Sequence, residues 1–417
     1  MKKNQKVAVD QLEVGTFIRL PMSWKDHPFL FSSFKIKNTA QIELIKALGL
    51  KDVFFDPEKS DVEPVTSATA EQMPPTEEEI NTLKEQMLSD KAAKIEEQKK
   101  LKRDLKKTEQ QFERSVAMMR SMVAKVSSRP LNAVNEAKDL INNITNMLLN
   151  SDNLALHLMG DAKNDEHIYH HSLNVAMLCM LMAKELEWTR EEVQTIGLGA
   201  LFHDIGKLKV PSTILNKRVP LSAPEENFIK QHPLMSINFL KLADSFPEEA
   251  KPLIANHHEF LDGSGYPQGL KADSLDKLSQ LIAVVNEYDN LCNGTNQIKG
   301  KPPSVALGLL YKNYNNNKLN AEYVSKLIKM LGIYPPGSIV ELSSGQFAIV
   351  MSVNLQQLLF PNIVVYDQLV PKNQAPIINL QNHNMTIVRS LPAAALPKTV
   401  HAYLNPRDKI SFGIGAN

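Results

Sequence analysis

Apolar and polar positions change period several times along this chain, and each change marks a boundary between elements. Between residues 1 and 62, short apolar stretches such as Val7-Ala8-Val9, Thr16-Phe17-Ile18 and Val53-Phe54-Phe55 are separated by turns and read as strands. Thr39 to Leu48 is an amphipathic helical stretch that Gly49 is placed to end. This first segment reads as a small α/β or mostly-β module. Residues 62–76, from Val62-Glu63-Pro64 to Met73-Pro74-Pro75, lack apolar periodicity and read as a linker.

From Thr76 to about Ser128 the chain is dense in Glu, Lys and Gln and has neither Pro nor Gly, and Thr76 with Glu79 makes a capping-box start. Phe112, Val116, Met119, Val123 and Val126 recur at 4-3-4-3 spacing, the seam of a coiled coil. One reading is a dimerising signalling helix; the other is a long helix packed on its own domain. Arg129-Pro130 breaks it. Residues 131–335 are helical in pattern, and the tail turns to short strands: Ser338 to Leu342, Phe347 to Met351 and Ile363 to Tyr366. The expected architecture is mainly α: an N-terminal α/β module (1–62), a linker and long charged helix (63–130), a helical bundle (131–335) and a β-rich C-terminal appendage (336–417).

Composition narrows the function classes. The 417 residues are 43% hydrophobic and 22% charged, those of an ordinary chain able to bury a full core. A net charge of +1 gives no electrostatic reason to expect a nucleic-acid polymer or a membrane surface as partner. The longest apolar run, Val175 to Ala183, ends at Lys184 and falls well short of the ~20 residues a membrane span needs. Cys179 and Cys292 are too few for a disulfide framework and read as packed thiols. The expected location is cytoplasmic.

The chemistry lies in the histidines. Seven of eleven fall between His167 and His258. His171 heads a helical face with Val175, Leu178 and Met182. Val193, Ile196 and Ala200, on a helix capped by Thr189 and Glu192, lead to His203-Asp204. A helix started by Ser222 and Glu225 ends at His232, and another from Glu248 carries Leu253 and Ile254 to His257-His258. One inward imidazole is usually a hydrogen-bonded core histidine. Five with an aspartate are costly to bury without a cation, and imidazole with carboxylate suits Fe, Mn, Zn or Ni.

His203-Asp204-Ile205-Gly206-Lys207, His257-His258-Glu259 and Asp262-Gly263-Ser264-Gly265-Tyr266-Pro267 resemble the signature of HD-GYP domains, HD-superfamily phosphohydrolases that cleave cyclic di-GMP. The resemblance extends through Val210-Pro211, Ile214 to Lys217 and Lys230 to Pro233, covering about residues 165–335. Val14-Gly15-Thr16, Trp24, His27-Pro28-Phe29 and Ser33-Phe34 resemble a domain of unknown function often found ahead of this class. It implies an HD-type bundle with His171, His203, Asp204, His232, His257 and His258 as ligands of a di-iron or di-manganese centre bridged by Asp204. Lys207 would reach a phosphate oxygen, and Asp262, Gly263, Gly265, Tyr266 and Pro267 would shape the pocket for the guanine dinucleotide. Two metals suit phosphodiester hydrolysis because they supply an activated water and clamp the oxygens. The implied product is pGpG, cut further to GMP. His167, one turn before His171, stands where some relatives carry a third-metal ligand but reads as a surface residue; His170 faces elsewhere.

The second half of the match departs from the family. Asn286 stands where a metal-binding Asp is expected and offers a carbonyl oxygen without charge, so it is a weak ligand. Asp289, one turn on, matches a second family Asp that is not a ligand. Gln280 and Gln268 replace arginines, and Gly294-Thr295 replaces an Asp-Arg pair. Arg is the residue that forks onto phosphate and stacks on guanine. Two readings follow: a cyclic di-GMP phosphodiesterase, or a catalytically weak receptor or scaffold that binds the dinucleotide or a partner signalling domain.

Overall fold

The computed structural model describes residues 5–64, 76–150, 154–158, 167–404 and 412–416, less 24, 25, 30, 242, 244, 295–297, 355, 356, 358, 369, 371, 373, 374, 376 and 384. Trp24, the stretch holding Met73-Pro74-Pro75, Thr295 and the side chain of His167 lie outside the described residues.

Strands β1 (Gln5–Ala8), β2 (Phe17–Arg19) and β3 (Ser33–Lys35), helix α1 (Thr39–Ala47) and strand β4 (Asp52–Phe55) make the first unit. The sheet is antiparallel in the order β1-β4-β2-β3. Its period-two alternation turns Val7, Ile18, Val53 and Phe55 inward against Ile42 and Ile45 of α1. Asn38 caps α1 by accepting from the Gln41 N–H at 2.9 Å, and Gly49 follows its end at φ +72°.

Helix α2 (Glu77–Val126) has 50 residues, about 75 Å at 1.5 Å per residue. The Thr76–Glu79 capping box forms as the sequence indicates. Its first turns place Ile80, Leu83 and Met87 on the N-terminal core, and its last turns place Phe112, Val116, Met119, Met122 and Val126 in the main core beside α3 (Pro130–Asn150). The 4-3-4-3 seam is therefore buried within the chain itself. The reason is the Arg129-Pro130 break, which folds α3 back so that Val134, Leu140 and Ile141 fill the seam.

Strand β5 (Leu154–Leu158) follows α3, a departure from the helical reading of 131–335: Leu-Ala-Leu-His-Leu has period two and pairs with strands far along the chain. Helices α4 (His167–Glu185), α5 (Arg190–Phe202), α6 (Ser212–Leu215), α7 (Ala223–Ile229), α8 (His232–Leu240), α9 (Ala250–Asn256), α10 (Lys277–Asn293), α11 (Pro303–Asn315) and α12 (Ala321–Leu331) form the bundle. The fold is mainly α, as expected. The α7 helix stops at Ile229, so His232 opens α8 instead of ending the helix before it.

The tail holds β6 (Ile339–Leu342), β7 (Phe347–Asn354), β8 (Asn362–Val365), β9 (Ile377–Asn379), β10 (Ile387–Leu391), α13 (Lys398–Leu404) and β11 (Phe412–Ala416). These join β5 in one sheet ordered β10-β6-β7-β5-β11, with β8 and β9 attached through β7. Phe31 of the first unit packs on this sheet's core of Val340, Val350 and Ile363. No described helix is long and apolar enough to cross a membrane.

Candidate metal centre

Three of the predicted histidines sit where a helix starts or stops, and all three use one device. The Nδ1 of His203, His232 and His257 lies 2.7 Å from the carbonyl oxygen three residues back, that of Ala200, Ile229 and Ile254 respectively. A carbonyl only accepts, so each ring carries its proton on Nδ1 and turns a bare Nε2 lone pair forward. His171, in α4, spends Nδ1 on Asp289 Oδ2 at 2.6 Å and also points Nε2 inward. This is the outer-shell pattern that fixes metal-binding imidazoles.

The lone pairs converge. His171 Nε2 is 3.2 Å from His203 Nε2, and His232 Nε2 is 3.1 Å from His257 Nε2. Between them sits Asp204, whose Oδ2 is 3.4 Å from His171 Nε2, while Oδ1 is 3.0 Å from His232 Nε2 and 3.6 Å from His257 Nε2. Two groups result, His171–His203–Asp204 and Asp204–His232–His257–His258, with the ligand atoms of each within 4.8 Å of one another. All six predicted ligands come together, and Asp204 belongs to both groups.

This arrangement fits a bound cation. Facing acceptor nitrogens at hydrogen-bond distance repel unless something positive lies between them, and the buried Asp204 Oδ1 has no hydrogen-bond partner among the described residues. Burial pushes the His203 and His258 pKa values well below the imidazole range and that of His232 down to about 4, so the rings are neutral donors at neutral pH. Burial alone would raise Asp204, but Lys207 and His203 outweigh it and hold the carboxyl well below its usual range. Lys207 Nζ is 2.5 Å from Asp204 Oδ2.

Backbone geometry explains the sequence between these groups. A Cβ on Gly206 would meet the His232 carbonyl oxygen at 2.0 Å, so only glycine lets the turn after Asp204 approach α8 this closely. The Gly206 N–H donates to Ser236 Oγ at 2.8 Å, and that oxygen is 2.8 Å from the His203 carbonyl and 3.0 Å from the His232 carbonyl. One hydroxyl thus locks two of the histidine-bearing elements together.

The predicted pocket loop folds over one flank. Tyr266 stacks on His258 with centroids 4.5 Å apart and planes 20° apart. Gly265 presses on the Glu259 and Phe260 backbone where a Cβ would meet atoms at 2.4 Å, Gly263 takes φ +81°, and Pro267 follows a cis peptide bond. Asp262 does not join the cluster: it is exposed, and its Oδ1 accepts from Ser264 N–H at 2.9 Å and Ser264 Oγ–H at 2.6 Å. Asn286 is buried in α10, and its Oδ1 accepts from Asn290 Nδ2 at 3.2 Å. His170 packs edge-on against Phe112, outside both groups.

Three participants lie outside the predicted ligand set. Asp289 orients His171, Ser236 ties the His203 and His232 backbones, and buried Glu259 accepts from the N–H groups of Gln268, Gly269 and Leu270 at 2.7, 3.1 and 3.0 Å. A signal existed for Asp289, which shares a helix face with Asn286 at i−3 and Asn293 at i+4.

Residues 156–322 match the HD domain family and residues 4–137 match DUF3391, a domain of unknown function. The chain is 32% identical over 214 residues to "Cyclic di-GMP phosphodiesterase PA4108" of Pseudomonas aeruginosa, covering 51% of each. It is 38% identical over 131 residues to "3'3'-cGAMP-specific phosphodiesterase 1" of Vibrio cholerae, covering 31% of this chain and 30% of that protein. The chain thus spans about half the length of the first of these relatives and less of the second. Among solved structures, Bd1817, a HDG"Y"P protein from Bdellovibrio bacteriovorus, covers 78% of this chain and 99% of its own at 18% identity and a TM-score of 0.43, too slight a likeness to argue from.

Proposed function

We propose that this chain, which carries an HD domain behind a DUF3391 domain, is a cytoplasmic metal-dependent phosphodiesterase that hydrolyses cyclic di-GMP to the linear dinucleotide pGpG, with a second cut giving GMP. The observation that carries this reading is Asp204, shared by two groups of inward Nε2 lone pairs. Two divalent ions, iron or manganese, suit that donor set, one held by His171, His203 and Asp204 and the other by Asp204, His232, His257 and His258. Bound there, they supply an activated water and Lewis-acid neutralisation of the phosphodiester.

The chain's own residues do the rest. Lys207, a quarter or less exposed beside Asp204, exchanges that carboxylate for a non-bridging phosphate oxygen and stabilises the charge that develops there. Tyr266, fixed on His258, offers a ring to a guanine, and Gly263, Gly265 and Pro267 shape the turn that carries it. Asp262 acts through that turn, not through the ligand, since its carboxylate is engaged by Ser264.

The second reading, a receptor that binds the dinucleotide or a partner signalling domain without turnover, is favoured by Asn286, which brings no charge and whose Oδ1 accepts from Asn290 Nδ2. Oxygen-protected protein assayed for metal content and for products from cyclic di-GMP and 3'3'-cGAMP separates the two. Product formation by wild type that His203→Ala abolishes supports the enzyme. Tight binding without product, with activity gained in Asn286→Asp, establishes the receptor.

A further inference from the structure

A cavity of about 1110 Å³ lies between the N-terminal sheet, α2 and the tail sheet, and shares no lining residue with the histidine cluster. Phe17, Phe31 and Phe34 form its apolar wall, with Phe29 stacked on Phe34 at 4.4 Å between centroids and 22° between planes. Facing them, the turn from Ser343 to Gln346 offers hydroxyl, amide and backbone groups. Sites for small molecules have this make-up, an aromatic wall with a few polar groups at a junction between units.

The charges in the lining are unequally committed. Lys35 is held by Asp61 at 2.7 Å, and Glu341 by Arg389 at 2.6 Å. Lys59 Nζ lies 5.1 Å over the Phe17 ring and 3.5 Å from Asp56, a loose pair. Lys37 Nζ has no carboxylate within ion-pair distance among the described residues, and Glu58 is the one remaining acid of the lining. Two ammonium groups not tied into a close ion pair thus line the same cavity as the phenylalanine wall.

We propose that this cavity is a binding site for a planar aromatic molecule bearing one acid group, with the ring against Phe31 and Phe34 and the anion at Lys37 and Lys59. The site is independent of the phosphodiesterase reading. Met87 also lines it, so a ligand there touches α2, the helix whose other end packs into the core around the histidines. That gives the N-terminal unit a role the metal centre does not supply, as the place where a small molecule meets the helix.

The test titrates the full chain with anilinonaphthalenesulfonate and with its uncharged counterpart phenylnaphthylamine, following dye fluorescence. Both bind saturably to wild type. The double variant Lys37→Glu, Lys59→Gln weakens the sulfonate about tenfold while leaving the uncharged dye within about twofold, the size expected for losing a charge pair and adding a repulsion. Phe34→Ala weakens both dyes, and His203→Ala weakens neither. Far-UV circular dichroism checks that each variant is folded, and the lysine pair is exposed enough to keep the test valid if Phe34→Ala unfolds. Absence of saturable binding to wild type, equal sulfonate affinity in the lysine variant, or loss of binding in His203→Ala would overturn the assignment.

Discussion

His171 Nδ1 and Asp289 Oδ2 are 2.6 Å apart, a buried contact that joins α4 to α10 across 118 residues of sequence. The other oxygen of the same carboxylate accepts from Asn174 Nδ2 and Asn293 Nδ2, each at 3.1 Å. The carboxylate is therefore fully engaged, and it fixes the ring so that Nε2 faces Asp204. Asp289→Asn keeps the shape but removes the charge and turns an amide N–H₂ toward groups that are themselves donors. Metal affinity, measured by chelator competition, should fall about 10–100-fold, as it does when such outer partners are removed, with far-UV circular dichroism unchanged. Equal metal affinity in the variant would show that Asp289 does not tune the centre.

How much of this was legible beforehand depends on the distance over which each residue acts. The five imidazoles and Asp204 were legible because each lies on or just past an apolar-faced helix, and a helical period is a local property. Thr76 with Glu79 and Thr189 with Glu192 were legible for the same reason, since a capping box spans four residues. Asp289 was visible only as a motif position, because its partner lies on another helix. Strand β5 was missed because its partners, Ser352 to Asn354 and Phe412 to Ala416, come from the far end of the chain. The seam of α2 was seen, but its occupant was not, as spacing gives the face and not what covers it.

That seam makes a second prediction. Val116 is 4% exposed and sits in the main core with α3 and α4. Val116→Asp buries an unpaired carboxylate there, and the loss should be at least about 3 kcal/mol, read as a large drop in the thermal midpoint. The oligomeric state measured by light scattering should be the same for whatever fraction stays folded. A clean conversion of dimer to stable monomer would instead restore the coiled-coil reading.

The N-terminal unit should carry an acid sensitivity of its own. His27 is buried, with Nε2 3.2 Å from Ser32 Oγ, and Lys91 of α2 donates to its carbonyl at 2.5 Å. Burial first, and then the Lys91 charge, lowers its pKa from 6.5 to about 4. Below pH 6.5 the unfolded chain takes up a proton that the folded chain refuses, so the His27 contribution to stability falls as pH drops from about 6.5 toward 4 and is unchanged above that window. By about pH 5 the loss should approach 2 kcal/mol. Urea unfolding compared near pH 7.5 and pH 5 measures it, and His27→Gln should flatten the difference; an equal slope in the variant would assign the sensitivity elsewhere.

Glu259 gives a way to separate the pocket loop from the metal centre. It follows His257-His258 directly, is 1% exposed, and its two oxygens take the N–H groups of Gln268, Gly269 and Leu270. The charge of the carboxylate strengthens each of these bonds. In Glu259→Gln one oxygen becomes an N–H₂ facing backbone N–H groups, so at least one bond is lost and a donor clash is added, about 1–3 kcal/mol in all. The loop that holds Tyr266 against His258 then loses its anchor, while Nδ1 of His257 keeps its bond to the Ile254 carbonyl at 2.7 Å. For the proposed phosphodiesterase, the expected result is roughly a tenfold rise in KM for cyclic di-GMP with metal content unchanged. If metal is lost together with substrate affinity, loop and centre are one cooperative unit, and Tyr266 has no role at the substrate separate from the metals.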